Sequence, residues 1–221
     1  EIEKMNITIA DEEIEEQFNN YKTFLGGEEE YKKFLESNDF TEEFLKDNFK
    51  KELLFQKHKE DFFNKTDISE EEAKEYFEAN KDNLTKVRAS HILVKTEEEG
   101  KAILKSLEKG EEFASLAATE SVDTASAIKG GDLGYFTKGE MVPEFESVAF
   151  SLDIGETSDL VESSYGYHII LLEDKKDSYE DLKDEIISIL KNDKYVEKIS
   201  TLRAEGKVKI YMDMDKKKED K

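Results

Sequence analysis

Apolar positions at Ile14, Phe18, Tyr21 and Leu25 recur at spacings of four, three and four. That is the period of a helix laying one face on a core, and Gly26-Gly27 ends the run. Thr41 is placed to cap a second helix with Phe44, Phe49, Leu53 and Leu54 on its apolar side. A third opens at Ser69, where Glu72 completes a capping box, and continues through Ala73, Tyr76 and Phe77. Residues 9–18 and 68–77 match in pattern at an offset of 59, which marks two similar helix entries rather than a long repeat array. Residues 1–5 are expected to be the tail of a helix that starts before them.

From residue 86 the pattern changes period. Strands at 87–94, 133–136 and 166–172 alternate with short helices at 97–108, 111–118 and 143–150. Gly130-Gly131 and Gly134 allow a tight turn into a strand, and Pro143, the only proline, suits the first turn of a helix. After Lys176 the helical period returns, with Ser178 as cap, a stripe of Leu182, Ile186, Ile189, Val196 and Ile199, and Gly206 as stop. A short extended piece at 208–212 and a charged tail follow. The last helix is too apolar on one face to stand alone. The reading is therefore a helical segment at 1–85, a mixed domain at 86–176, and a helix and tail at 177–221 that pack back on the first segment, leaving the middle domain inserted.

Composition narrows the function. Fourteen phenylalanines and nine tyrosines supply core material, but 40% of the 221 residues are charged, so the cores are modest and the surfaces polar. The net charge of −22 divides as −13 over residues 1–85, −9 over 86–175 and zero over 176–221. No segment is basic, which argues against nucleic-acid binding and against a bare anionic membrane surface; most of the acid reads as solvated helix face. The absence of cysteine removes disulfides and thiolate chemistry. No apolar run approaches the roughly 20 residues of a membrane span, and no basic-then-apolar leader precedes the first helix, so a soluble protein is expected.

Three histidines remain as candidate chemistry. His58, on a helix rich in lysine and glutamate, reads as solvated surface, whereas His91 and His168 sit inside aliphatic strands. Either one alone reads equally well as a satisfied core residue. With an aspartate the pair could ligate iron or zinc, but there is no His-x-His or Glu-x-x-His spacing. Met141 and Phe145 fit a core, and Gly130-Gly131 fit a simple turn.

Four stretches are more specific together: Ala-Ser-His-Ile-Leu at 89–93, Gly-Gly-Asp-Leu-Gly-Tyr-Phe at 130–136, Met141 with Phe145 around Pro143, and Tyr-Gly-Tyr-His-Ile-Ile at 165–170. In this order they resemble the parvulin family of peptidyl-prolyl isomerases, and the helical flanks look like those of exported PrsA-type foldases. The resemblance implies an α+β fold, with a four-stranded antiparallel sheet and covering helices set into an all-α chaperone module. It implies a catalytic set of His91, Asp123, Ser163 and His168, and a proline-ring pocket of Leu133, Phe136, Met141 and Phe145. The stretch from Asp123 to Gly130 is one residue longer than the usual spacing, which leaves the place of Asp123 open. The implied activity is prolyl isomerisation in unfolded or newly exported polypeptides, with no cofactor and no metal. The rival is a binding chaperone whose parvulin domain is catalytically weak. The resemblance also implies a cell-surface, lipid-anchored location and pairing of two copies through the helical module. Thr96-Glu-Glu-Glu99 stands where phosphate-directed members carry a basic patch, so no preference for phosphoserine before proline is expected.

Overall fold

The computed structural model describes residues 5–206. The extended piece expected at 208–212, and most of the expected tail at 1–5, lie outside them. The described chain forms α1 (Asp11–Phe24), α2 (Glu28–Asn38), α3 (Glu42–Lys65), α4 (Glu70–Leu84), β1 (Lys86–Val94), α5 (Glu97–Glu108), α6 (Phe113–Glu120), α7 (Thr124–Ala127), β2 (Asp132–Phe136), α8 (Pro143–Ala149), β3 (Val161–Ser163), β4 (Gly166–Lys176) and α9 (Tyr179–Glu205). It divides into two compact units, one of Ser69–Ser188 and one of the residues up to Ile68 together with those from Ile189 onward. The division differs from the expected one by α4 and the first turns of α9, which go with the sheet. Phe77 of α4 meets Tyr179 edge-on at 6.1 Å, and Lys86 pairs with Glu185 at 2.7 Å.

In the sheet unit the strand order is β2-β1-β4-β3, antiparallel throughout. Alternation along the strands sorts side chains onto two faces, and both are covered. Val87, Ala89, Ile170 and Leu172 pack under Phe136, Phe145 and Ala149 on the α8 face. Ile92, Val94 and Ile169 pack on the other face under Ile103 of α5 and Phe113, Leu116 and Ala117 of α6. His91 continues the Val87, Ala89 row and His168 the Ile170, Leu172 row, so both histidines lie on the α8 face. The fourth strand, β3, escapes sequence reading because only three residues pair.

The helical unit is built on aromatic contacts. Thr41 caps α3, its Oγ1 accepting from the Phe44 amide at 3.1 Å. Phe18 of α1 meets Tyr31 of α2 edge-on at 5.4 Å, and Phe49 of α3 meets Tyr21 at 5.5 Å. Helix α2 lies where the glycine pair suggested a stop: Gly27, at φ +102, restarts the helix immediately as its N-cap. Tyr195 of α9 is surrounded by Phe55, Phe62 and Phe63 and lies 2.9 Å from Nδ1 of His58. His58 is therefore buried, not solvated as its charged neighbours suggested, because it occupies the one side of α3 that faces Tyr195.

Candidate active site

His91 and His168 are not direct cross-strand partners. His91 pairs with Ile170 and His168 with Leu93, so the rings are diagonal neighbours, close enough for aromatic side chains to meet. They stack at 5.4 Å with 24° between planes, and their Nδ1 atoms are 3.2 Å apart. On the outer side, His91 Nε2 lies 2.8 Å from Asp123 Oδ2 and 3.1 Å from Ser126 Oγ. His168 Nε2 lies 2.7 Å from Ser163 Oγ. All four ring nitrogens are engaged, which leaves none directed at a metal ion in this arrangement.

Local structure fixes each member. Asp123 is the N-cap of α7, its Oδ1 accepting from the Ala125 amide at 3.3 Å, and the Ser126 hydroxyl donates to its Oδ2 at 2.5 Å. The Ser126 hydrogen bond, then that of His91, holds the Asp123 carboxyl below its ordinary range against the opposing effect of burial. The longer loop thus winds into one helical turn and still delivers Asp123 to His91. Gly131, at φ +90, passes so close to β1 that a Cβ there would sit 2.4 Å from the His91 carbonyl oxygen; its own carbonyl accepts from the His91 amide at 2.9 Å. Gly166, at φ +134, lets β4 begin beside Val94, whose carbonyl oxygen a Cβ would approach to 2.2 Å.

Burial pushes the His168 imidazole down to about 4, with the neighbouring His91 ring adding to the effect and Asp123 opposing it. His168 is therefore neutral at pH 7. With Asp123 ionised, His91 Nε2 carries a proton toward it, and the tautomer with a proton on His168 Nδ1 lets His91 Nδ1 accept. The Ser163 hydroxyl then donates to His168 Nε2 while accepting from the Tyr165 amide at 3.1 Å. In that tautomer the donors run from Ser163 through both rings to Asp123.

Above this floor lies a cavity of about 470 Å³ walled by Leu133, Met141, Val142 and Phe145. Phe145 stands edge-on to both histidines, at 5.8 and 5.4 Å. Lys95, Glu140 and Tyr165 form part of the rim. Both rim charges are tethered, the Glu140 carboxylate by the Thr137 amide and hydroxyl and the Lys95 ammonium by the Tyr165 carbonyl. Of the expected pocket residues, Phe136 is set apart: it pairs with Val87, four residues from His91, and is 3% exposed beneath Phe145 rather than beside the cavity. Sequence reading missed Ser126, although a hydroxyl three residues after a capping aspartate is placed to meet its carboxylate.

A buried histidine pair under a small apolar cleft, on a four-stranded antiparallel sheet, is the arrangement of a parvulin-type domain, and residues 72–176 match the family model of the PPIC-type PPIase domain. Over 213 residues the chain is 38% identical to the foldase protein PrsA of Bacillus subtilis, covering 96% of this chain and 69% of that one. It is 43% identical over 189 residues to the foldase protein PrsA of Halalkalibacterium halodurans, covering 82% of this chain and 56% of that relative's length. The crystal structure of PrsA from Bacillus subtilis aligns with 97% of this chain and 81% of its own at 35% identity, with a TM-score of 0.41. The chain belongs to the PrsA foldase family.

Proposed function

We propose that the sheet unit accelerates cis–trans isomerisation of X-Pro bonds in unfolded polypeptides, and that His91, Asp123, Ser163 and His168 are its catalytic set. One observation carries the reading: a fully hydrogen-bonded histidine pair closes the floor of a cavity whose walls are Leu133, Met141 and Phe145. Rotation about the bond faces a barrier of roughly 18–20 kcal/mol because the transition state loses amide conjugation. A planar amide has a larger dipole than a twisted one. An apolar cleft that grips the proline ring and excludes water therefore stabilises the twisted form relative to the planar one, which is differential transition-state binding and needs no nucleophile. The hydrogen-bonded chain holds both imidazoles in orientation, and burial keeps the His168 ring neutral at pH 7. With both rim charges tethered and Glu97 to Glu99 opening α5, peptides phosphorylated before proline are expected to turn over no faster than unphosphorylated ones.

The helical unit favours a second activity alongside the first. Phe24, Phe44 and Phe55 are 82, 46 and 51% exposed, a surface suited to holding apolar client segments. Clients containing X-Pro bonds, pairing of two copies through this unit, and an extracytoplasmic, lipid-anchored setting complete the proposal. Among the described residues no helix is long and apolar enough to cross a membrane. The test is a protease-coupled isomerisation assay on a proline tetrapeptide. His168→Ala should lower activity by about a hundredfold, the scale of removing a well-placed polar group, with unfolding little changed; parallel losses of activity and fold would instead make His168 a core residue.

A further inference from the structure

Ser126 is buried at 5% exposure, does not line the cavity, and sits on the extra turn that the longer loop makes. Its hydroxyl has one proton and two acceptors in reach: the Asp123 carboxylate at 2.5 Å and the Asp123 carbonyl at 3.4 Å. The shorter, charged acceptor takes the proton. The lone pairs of Oγ then face His91 Nε2 at 3.1 Å, beside Asp123 Oδ2 at 2.8 Å, so the Nε2 proton is shared between two acceptors that are bonded to each other.

The backbone of the same residue reaches His91 by a second route. The Ser126 carbonyl accepts from the Gly131 amide at 2.9 Å, and the Gly131 carbonyl accepts from the His91 amide at 2.9 Å. Among the described residues no other donor reaches Asp123 Oδ2 apart from His91 itself, while Oδ1 is held by the Ala125 amide at 3.3 Å. Without the hydroxyl the carboxylate can turn about its last bond and the Nε2 proton loses its fixed direction.

We infer that Ser126 is a positioning residue of the isomerase site: by clamping the Asp123 carboxylate it fixes the direction of the His91 Nε2–H and so the orientation of the His91 ring against His168. The role rests on the isomerase reading above. It concerns how the pair is oriented rather than what it contacts.

The test uses the full chain with Ser126→Ala and Ser126→Cys. Cysteine keeps the shape of the side chain in α7, with a somewhat larger sulfur in place of oxygen, but is a weak donor. A positioning role predicts that Cys behaves like Ala: kcat falls about fivefold, the worth of one ordinary hydrogen bond, KM is unchanged, and the His91 Nε2 proton, followed by nitrogen-15 NMR, exchanges faster with water. A packing role predicts that Cys behaves like wild type, and that result overturns the inference; so does an unchanged Nε2 proton in both variants. If Ala fails to fold, the Cys variant alone decides. If the wild type shows no isomerase activity, the functional reading fails, while the Nε2 proton still reports whether Ser126 orients His91.

Discussion

The two units handle aromatic and aliphatic residues in opposite ways. In the sheet unit, strands alternate their side chains and helices cover both faces, so Ile92, Ile169, Ile170 and Leu172 are fully buried and a polar pair can be held among them. In the helical unit each helix can bury only one stripe, and the surplus aromatics stay outside, with Phe24, Phe44 and Phe55 exposed. A layered fold can hold a site to tenths of an ångström. A small set of helices around Phe18, Tyr31 and Leu45 offers surface rather than position. Under the proposed function, the contrast suits precise chemistry in one unit and adaptable binding in the other.

The contrast is broken most severely at Phe145. This ring is 2% exposed, walls the cavity and stands against both histidines. Phe145→Ala should cost about 3–5 kcal/mol of stability in the sheet unit, as for other buried aromatics cut to alanine, and should abolish measurable isomerisation. Urea unfolding followed by tyrosine fluorescence, with the peptide assay alongside, checks both. A loss below about 1 kcal/mol would mean that the α8 face collapses around the gap.

Acid should act next, and on the sheet unit. The folded His168 titrates at about 4 against 6.5 for the free side chain. Between those values the unfolded chain binds the extra proton, so the stabilisation is complete above pH 6.5 and is lost as pH falls toward 4. The ceiling is about 3 kcal/mol at 1.36 kcal/mol per pKa unit. Asp123, also held low, adds its own loss at still lower pH. Urea midpoints at pH 7 and pH 4.5 for wild type and His168→Asn should show the wild type losing about 2 kcal/mol more than the variant; equal losses would remove His168 from the acid response.

A smaller effect is expected in the helical unit. Tyr195→Phe deletes the hydroxyl that meets His58 Nδ1 at 2.9 Å but keeps the ring among Phe55, Phe62 and Phe63. The cost should be about 1 kcal/mol, read as a lower melting temperature of the helical transition, with peptide isomerisation unchanged. A drop in isomerase activity would show that the two units are coupled.

The same contrast explains what could be read from sequence. Strands β1 and β4 were legible from their short runs of Val, Ile and Leu, and β2 from Leu133, Tyr135 and Phe136 after the Gly130-Gly131 turn, and the four motif stretches located His91, His168, Leu133, Met141 and Phe145. The diagonal register was not legible, since it depends on strand pairing rather than on either strand alone. Nor was α2, because a glycine pair stops one helix and starts another with the same residues. His58 was misread for a related reason: flanking lysines and glutamates describe most of a helix surface but not the single side that meets Tyr195. Phe136 carried the right residue type for the pocket, and only its pairing with Val87 shows that it lies beneath Phe145.

The smallest effect on stability should come from Phe24, and it isolates the binding half of the contrast. Phe24 is 82% exposed at the end of α1 and, among the described residues, meets the aromatic cluster by stacking on Tyr21 at 6.4 Å. Phe24→Ser should therefore change the melting temperature by no more than a degree or two, since surface substitutions usually fall within about 0.5 kcal/mol, and should leave peptide isomerisation untouched. Its effect should appear in suppression of aggregation of an unfolded client that contains no proline, where removing an exposed ring reduces the apolar surface available for contact. Light scattering at several ratios of chain to client measures this directly. Protection equal to wild type would show that the exposed aromatics of the helical unit do not hold clients, and the division of labour between the two units would then rest on the sheet unit alone.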